Sequence, residues 1–86
     1  MEHAHPVQFI LYGTTSCHLC EEAEMLVKQM KLDQLFTMID IAEDDQLLAV
    51  YGTLIPVVLH TSSRTQLRWP FDHTQLEQFI RSTITG

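Results

Sequence analysis

The sequence predicts an α/β fold in which the elements follow the order β-α-β-α-β-β-α and build a central four-stranded mixed sheet flanked by helices. Two observations lead to this prediction. Short apolar runs that are rich in β-branched and aromatic residues alternate with stretches of helical periodicity. The chain also has 86 residues, a length that favours one domain, so we expect residues 1–86 to form a single unit.

The first strand and the first helix are predicted on either side of a polar loop. Val7 to Tyr12 is an apolar run, and it is closed by the Gly-Thr-Thr-Ser sequence of residues 13–16. From Cys17 to Lys31 apolar residues recur at helical spacing, with glutamates in the first turns and lysines near the end. The sequence therefore predicts a strand, a loop and a helix in direct succession.

The rest of the chain supplies three more strands and two more helices by the same criteria. We predict a strand from Leu35 to Ile41, a helix from Glu43 to Tyr51, a strand from Val57 to His60, a hairpin strand from Gln66 to Trp69, and a helix from an Asp72 cap through Thr83. Strands joined by helices should lie parallel, and the hairpin should supply the antiparallel part of the sheet.

The charge balance excludes several classes of partner. Five basic residues against eleven acidic ones give a net charge of −6, and the basic residues are scattered, so we expect no nucleic acid and no anionic membrane as a partner. The amino terminus lacks the basic and apolar regions of a signal peptide. No apolar run approaches the roughly 18 residues of a membrane span. We expect a cytoplasmic monomer.

Cys17 and Cys20 stand three residues apart where a strand passes through a short loop into a helix. In the cytosol structural disulfides are rare, so the pair is better explained as reactive or metal-binding. Unpaired N–H groups and the positive end of the helix dipole favour a thiolate at the first cysteine, and the thiolate is the nucleophile. We therefore predict Cys17 as the exposed nucleophile and Cys20 as the recessed, resolving thiol.

Neighbouring groups act on that thiolate in opposite directions. A protonated His18 between the two sulfurs would stabilise it, whereas the carboxylates of Glu21 and Glu22 would disfavour it. The residues alone leave this balance open. Tyr12 ends the strand before the loop and is a further candidate for contact with the sulfur region, with strand-end packing as the alternative.

Other uses of a Cys-x-x-Cys pair fit less well. A structural zinc site needs four Cys or His ligands, and no histidine stands at tight ligand spacing to the pair, so we predict no metal. Haem attachment needs a histidine directly after the second cysteine, where this chain has Glu21. Two inert buried cysteines stay as an alternative, more so for Cys20 than for Cys17.

Two motifs resemble those of the small bacterial glutaredoxin-like family of thioredoxin-fold proteins. The first is Leu-Tyr-Gly-x-x-x-Cys-His-Leu-Cys at residues 11–20, and the second is Tyr-Gly-x-x-Ile-Pro-Val at residues 51–57. Pro56 opens the third predicted strand, and the residues alone leave the Ile55–Pro56 bond cis or trans. The resemblance implies a thioredoxin/glutaredoxin-like fold, Cys17 as nucleophile, Cys20 as resolving cysteine and a cis-proline at Pro56 that faces Cys17.

The same resemblance implies a ligand groove. The backbone of Ile55 would pair with an extended substrate or with glutathione across the sulfur. The chain departs from well-studied glutaredoxins in its Cys-His-Leu-Cys centre and in the Trp-Pro-Phe-Asp sequence of residues 69–72, where those proteins hold glutathione with Gly-Gly and an aspartate. This departure favours thiol exchange over glutathione binding.

The leading hypothesis is a thiol–disulfide oxidoreductase that acts on protein or glutathione-mixed disulfides through Cys17 and Cys20. Its partner would be a disulfide-bearing protein or a low-molecular-weight thiol. No cofactor is required, and glutathione is a candidate co-substrate. Two alternatives stay open: a binding module that uses the Ile55–Pro56 groove without turnover, and an iron–sulfur protein whose dimer binds a cluster through Cys17.

Overall fold

The computed structural model describes residues 8–85, and within them four strands and three α-helices. The elements are β1 (Phe9–Gly13), α1 (His18–Gln29), β2 (Phe36–Asp40), α2 (Asp45–Tyr51), β3 (Val57–His60), β4 (Gln66–Arg68) and α3 (His73–Thr85), with a 3-10 turn at Asp33–Leu35. Their succession confirms the predicted order. No helix in this part of the chain is long and apolar enough to cross a membrane.

The four strands form one mixed sheet in the order β2-β1-β3-β4. β1 and β2 run parallel, with Gly13 opposite Asp40, whereas β3 is antiparallel to both of its neighbours. The prediction that helix-linked strands lie parallel is right for β1 and β2 but wrong for β2 and β3. The seven residues of α2 span only about 10 Å, less than the roughly 16 Å length of a five-residue strand. α2 therefore does not carry the chain back to the edge of the sheet at which β1 and β2 begin, and β3 starts at the edge at which they end.

Two apolar clusters hold the helices against the sheet. The first cluster joins α1 and α3 to the strands through its buried members Phe9, Leu11, Ala23, Val27, Phe36, Val58, Phe71, Leu76 and Ile80. The second cluster lies around α2 and has the buried members Tyr12, Ile41, Tyr51, Val57 and Leu59. Consecutive residues of β1 alternate between the clusters, as the two-residue period of a strand requires. Each large side chain buried in this way contributes roughly 1.5–3 kcal/mol to folding.

Capping explains why α1 differs from its predicted bounds of Cys17 and Lys31. Cys17 has an extended backbone and caps the helix with its sulfur, so α1 begins at His18. At the other end Lys31 has a φ of 60°, a left-handed conformation that ends the helix, and the last helical residue is Gln29.

The other two helices also follow their caps. α2 begins at Asp45 rather than Glu43, because an oxygen of Asp44 accepts the first free N–H groups of the helix. The predicted Asp72 cap is present, and α3 continues two residues past Thr83 to Thr85.

The strand bounds agree most closely in the terminal hairpin. β3 spans Val57–His60 as predicted, but β4 ends at Arg68 rather than Trp69, which precedes a proline that cannot donate to a ladder. The predicted strand from Leu35 to Ile41 loses one residue at each end, since Leu35 belongs to the 3-10 turn and β2 stops at Asp40. The predicted start of the first strand, Val7, lies outside the described residues, and β1 continues one residue beyond Tyr12.

Candidate active site

Cys17 lies at the junction between the polar loop that follows β1 and the first turn of α1. Its side chain is half-exposed, and its Sγ accepts a hydrogen bond from the backbone N–H of Cys20 at 3.2 Å. This N–H is one of the groups that the first turn of a helix leaves without an internal partner. A sulfur in this position therefore meets an N–H donor and the positive end of the helix dipole, both of which favour a thiolate.

Cys20 lies one turn further along α1, and its side chain is 6% exposed. It packs directly on Gly13, the last residue of β1. Burial, followed by the hydrogen bond with Cys17, raises the pKa of the Cys20 thiol from its ordinary 9.0 to about 11. Both cysteines are free, so the structure places two unequal thiols side by side, one accessible and one recessed.

His18 points along the helix surface. Its side chain is 82% exposed, and its Nε2 lies 3.1 Å from an oxygen of Glu22 while Nδ1 lies 3.9 Å from one of Glu21. A protonated His18 would therefore share its charge with two carboxylates, and at this exposure such pairs are worth little.

Pro56 and Ile55 lie at the start of β3, on the sheet edge at which β1 and β2 end. Pro56 is buried, and the Ile55–Pro56 bond is cis. The N–H of Ile55 donates to the carbonyl oxygen of Tyr51 at 3.1 Å. A ligand that paired with the Ile55 backbone as it stands would thus bond to its carbonyl oxygen. The Trp69–Pro70 bond is also cis, which the sequence did not suggest.

The structure places the side chain of Tyr12 in the apolar core. Tyr12 is buried in the second cluster, where its ring stacks on that of Tyr51 with centroids 4.4 Å apart. Burial raises the pKa of Tyr12 above its usual value. The aromatic residues after β4 also pack inward. Phe71 is a buried member of the first cluster, and the ring of Trp69 packs edge-on against the ring of Phe71 with the two ring centroids 5.0 Å apart.

A cavity of about 320 Å³ lies between α1 and the carboxyl ends of β1 and β2, on the Cys20 side of the pair. It is lined by Leu11, Gly13, Met38, Ile39 and Asp40 of the sheet, by Thr14 and Thr15 of the loop, and by Cys20, Glu21 and Glu24 of α1. The cavity thus combines apolar walls, three carboxylates and a buried thiol. Within residues 8–85, no group of three or more His, Cys, Asp or Glu side chains is arranged to hold a metal ion.

Sequence reasoning identified the two sulfurs but missed this cavity. Asp40 carried a usable signal, because it is the next-to-last residue of a strand predicted to be parallel to β1, and parallel strands end at the same edge of a sheet. The approach of Asp40 to the Cys20 side depends on the register of Gly13 opposite Asp40 and on the absence of a side chain at Gly13. Neither can be read from spacing alone.

A four-stranded mixed sheet with a Cys-x-x-Cys pair between β1 and α1 and a proline before β3 defines the class of thioredoxin-like proteins. Within that class, the chain belongs to the family of the glutaredoxin-like domain (DUF836), whose model matches residues 8–81. This confirms the family resemblance of the two motifs and the thioredoxin-like fold.

Solved structures agree with this assignment. The X-ray structure of the structural genomics target protein XcR50 from X. campestris is 30% identical over 86% of this chain and 96% of that chain, with a TM-score of 0.78. The solution structure of XcR50 gives 29% identity and a TM-score of 0.75, over 87% of this chain and 94% of that one. Protein Ne2328 from Nitrosomonas europaea is 26% identical over 92% and 96% of the two chains, with a TM-score of 0.62. No curated protein matches the chain.

Proposed function

We propose that this protein is a thiol–disulfide oxidoreductase in which Cys17 is the nucleophile and Cys20 the resolving thiol. The observation that carries the proposal is the inequality of the two sulfurs. Cys17 is accessible at a helix N-terminus, whereas Cys20 is buried and its thiol has a pKa raised to about 11. A substrate disulfide would therefore react first with Cys17, and Cys20 lies close enough to Cys17 to react in the second step.

The exchange takes place in two steps. The Cys17 thiolate attacks one sulfur of the substrate disulfide, so that a mixed disulfide forms and one substrate thiolate leaves. Cys20 then gives up its proton and attacks Sγ of Cys17, which forms the Cys17–Cys20 disulfide and releases the second substrate thiol. The substrate disulfide is reduced by two electrons and the cysteine pair is oxidised by two. A low-molecular-weight thiol or a dithiol protein must then reduce the pair for another turnover.

The proposed substrates are protein disulfides and glutathione-mixed disulfides. The carbonyl of Ile55 and the exposed side of Cys17 would contact the substrate beside Pro56, and the exposed His18, which follows Cys17 in the chain, would border this surface. The proposal requires no metal or organic cofactor, and glutathione enters it as a co-substrate. We propose the cytoplasm as the compartment, since exchange with a thiol pool needs a reducing environment, and a monomer as the acting form.

The test is equilibration of the protein with glutathione buffers that cover cytosolic potentials, followed by acid quenching and intact-mass measurement. We expect a single transition in which the chain loses two hydrogen atoms. A Cys20→Ser variant should accumulate a mixed disulfide at Cys17, whereas a Cys17→Ser variant should form little mixed disulfide, because the remaining thiol of Cys20 is buried. A pair that stays reduced at every potential would overturn the proposal.

The same variants separate the alternative functions. A Cys17→Ser protein that keeps its full biological activity would favour a binding module built around Ile55 and Pro56. A coloured, iron-containing protein after anaerobic purification would favour cluster binding through Cys17. Oxidation of the pair by a disulfide together with loss of activity in Cys17→Ser supports exchange.

A further inference from the structure

The acidic residues of this protein are concentrated at the edge of the sheet that carries Cys17. β1 and β2 are parallel, so the loop that leads to Cys17 and the loop after Asp40 leave the sheet at the same edge. The first turns of α1 contribute the carboxylates of Glu21, Glu22 and Glu24, and the second loop contributes those of Asp40, Glu43, Asp44 and Asp45.

Lysines and arginines are scarce at this edge among residues 8–85. Lys28 and Lys31 lie at the far end of α1, Arg64 lies in the β3–β4 turn at the opposite edge, and Arg81 lies in the second half of α3. By backbone position, Arg68, which pairs with Val57, is the one lysine or arginine in residues 8–85 at this edge, two strands away from β1. The charge of Arg64 also acts on Tyr12, the penultimate residue of β1. The formal charges of the side chains at this edge are therefore mostly negative.

Three of these carboxylates line the cavity beside Cys20. Glu21 and Asp40 are exposed at its border, and Glu24 is half-buried there with Lys28 at 3.0 Å as its ion-pair partner. Glu21 and Asp40 have no lysine or arginine partner among the ion pairs of the described residues. Nδ1 of His18 lies 3.9 Å from an oxygen of Glu21, and Oδ1 of Asp40 accepts a hydrogen bond from the N–H of Ala42 at 2.8 Å. The apolar side chains of Leu11 and Met38 form the cavity wall, and the Cys20 thiol, more than nine-tenths buried, lines the inner end.

This combination of apolar walls and carboxylates suits a disulfide substrate in which the group attached to one sulfur, here called its arm, is aliphatic and ends in a cation. A short aliphatic segment can pack on Leu11 and Met38, and an ammonium or guanidinium at its end can reach the carboxylates of Glu21 and Asp40. An anionic arm, such as the one that carries the glycine carboxylate of glutathione, would meet repulsion at the same place. The apolar walls and the buried sulfur distinguish the cavity from a merely solvated acidic surface.

We infer that the exchange centre selects disulfides that carry positive charge next to the reacting sulfur, such as a disulfide in a lysine- or arginine-rich segment. This inference rests on the proposed function. In the reaction the Cys17 thiolate forms a bond to the proximal substrate sulfur, the distal thiolate leaves, and the cationic end of the arm that stays on Cys17 interacts with the exposed carboxylates of Glu21 and Asp40 at the border of the cavity. Cys20 then displaces that arm as a thiol, as in the general exchange.

The test uses three small disulfides whose arms have the same two-carbon length. Cystamine has cationic arms, bis(2-hydroxyethyl) disulfide has neutral arms, and 3,3′-dithiodipropionate has anionic arms. The reduced protein is mixed with each disulfide in single-turnover experiments, and oxidation of the pair is followed by acid quenching and mass measurement. Dithiothreitol, tested in the same way, supplies the intrinsic reactivity of each disulfide, and every rate constant is divided by that reference.

The expected result is a preference for cystamine over dithiodipropionate of about tenfold beyond that of dithiothreitol at low ionic strength. The preference should fall to about threefold or less at roughly 0.5 M salt, because the Debye length shrinks to a few ångströms. Glu21→Gln/Asp40→Asn should lose about threefold of the preference at low salt. The matched control Asp33→Asn/Glu77→Gln removes the same charge from residues that do not line the cavity and should keep it.

Two failures are distinguishable. If no disulfide, including the neutral one, oxidises the pair, the proposed function is overturned and the inference with it. If the neutral disulfide reacts but the corrected preference for cystamine is absent, or is lost equally in both double variants, exchange stands and the charge selectivity is wrong.

Discussion

Gly13 supports Cys20 from the sheet: a Cβ atom at residue 13 would lie 2.9 Å from both the Cβ and the Sγ of Cys20. The recessed thiol therefore owes its position to the absence of a side chain at the end of β1. The close contact links the strand to the helix at the reactive pair itself.

Gly13→Ala should destabilise the protein by about 1–3 kcal/mol, since the new methyl group has no room against Cys20. The measurement is the free energy of unfolding in urea. Repeating it in a Cys20→Ala background removes the sulfur but keeps its Cβ, so the cost of Gly13→Ala should become smaller there. An equal cost in both backgrounds would show that the sulfur is not what crowds residue 13.

Alkaline pH should weaken the fold through Cys20. Its folded pKa of about 11 exceeds the ordinary 9.0, so the folded state keeps a proton that the unfolded chain has lost. This stabilisation is fully present below about pH 9 and is lost as the pH rises through about 11, with a magnitude on the order of 2 kcal/mol. Urea unfolding across that range should show a steeper loss in the parent protein than in Cys20→Ser, and parallel curves would contradict the raised pKa.

Tyr12 should matter for packing rather than for exchange. Its ring stacks on Tyr51 within the second cluster, so Tyr12→Phe keeps the contact and should change the exchange rate by less than about twofold. Tyr12→Ala empties the site and should cost about 3–5 kcal/mol of unfolding free energy. Single-turnover oxidation and urea unfolding of both variants decide the point. A Tyr12→Phe protein with normal stability but a rate reduced tenfold or more would assign the hydroxyl a role in the chemistry.

The start of α3 carries a reciprocal cap. The N–H of Gln75 donates to Oδ1 of Asp72 at 2.9 Å, and the N–H of Asp72 donates to Oε1 of Gln75 at 3.0 Å. Asp72→Ala should cost about 1 kcal/mol in thermal or urea unfolding. Asp72→Asn keeps an acceptor and should recover most of that loss. Identical losses in the two variants would mean that the cap does not stabilise α3.

The sequence predicts the elements of this fold better than their arrangement. A short apolar run that follows Pro56 and precedes a polar turn locates β3 to the residue, and acidic residues mark the beginnings of α1 and α2. These are local signals that neighbouring residues carry. The antiparallel direction of β3 was not predicted, because it depends on which end of the sheet the chain has reached when α2 ends. No pattern in residues 41–56 indicates that position.

The site shows the same division. Cys17 and Cys20 differ in position because α1 begins directly after Cys17, so that Cys17 caps the helix and Cys20 lies one turn inside it. Their spacing was therefore enough to predict one accessible and one recessed sulfur. Tyr12 shows the limit of such reasoning, since proximity in sequence to Cys17 does not tell which face of β1 a side chain occupies. The cavity beside Cys20 arises only when β2 is paired with β1 and α1 is laid across them.

The sheet order also determines how long the reactive pair keeps its geometry during thermal motion. β1 has a hydrogen-bonded strand on each side, whereas β4, with three residues, borders the sheet. Amide exchange in such sheets starts at short outer strands and reaches the central ones last. The loop that holds Cys17 is therefore tied to the segment that opens least often. We therefore expect fluctuations that detach β4 to leave the spacing of the two sulfurs unchanged.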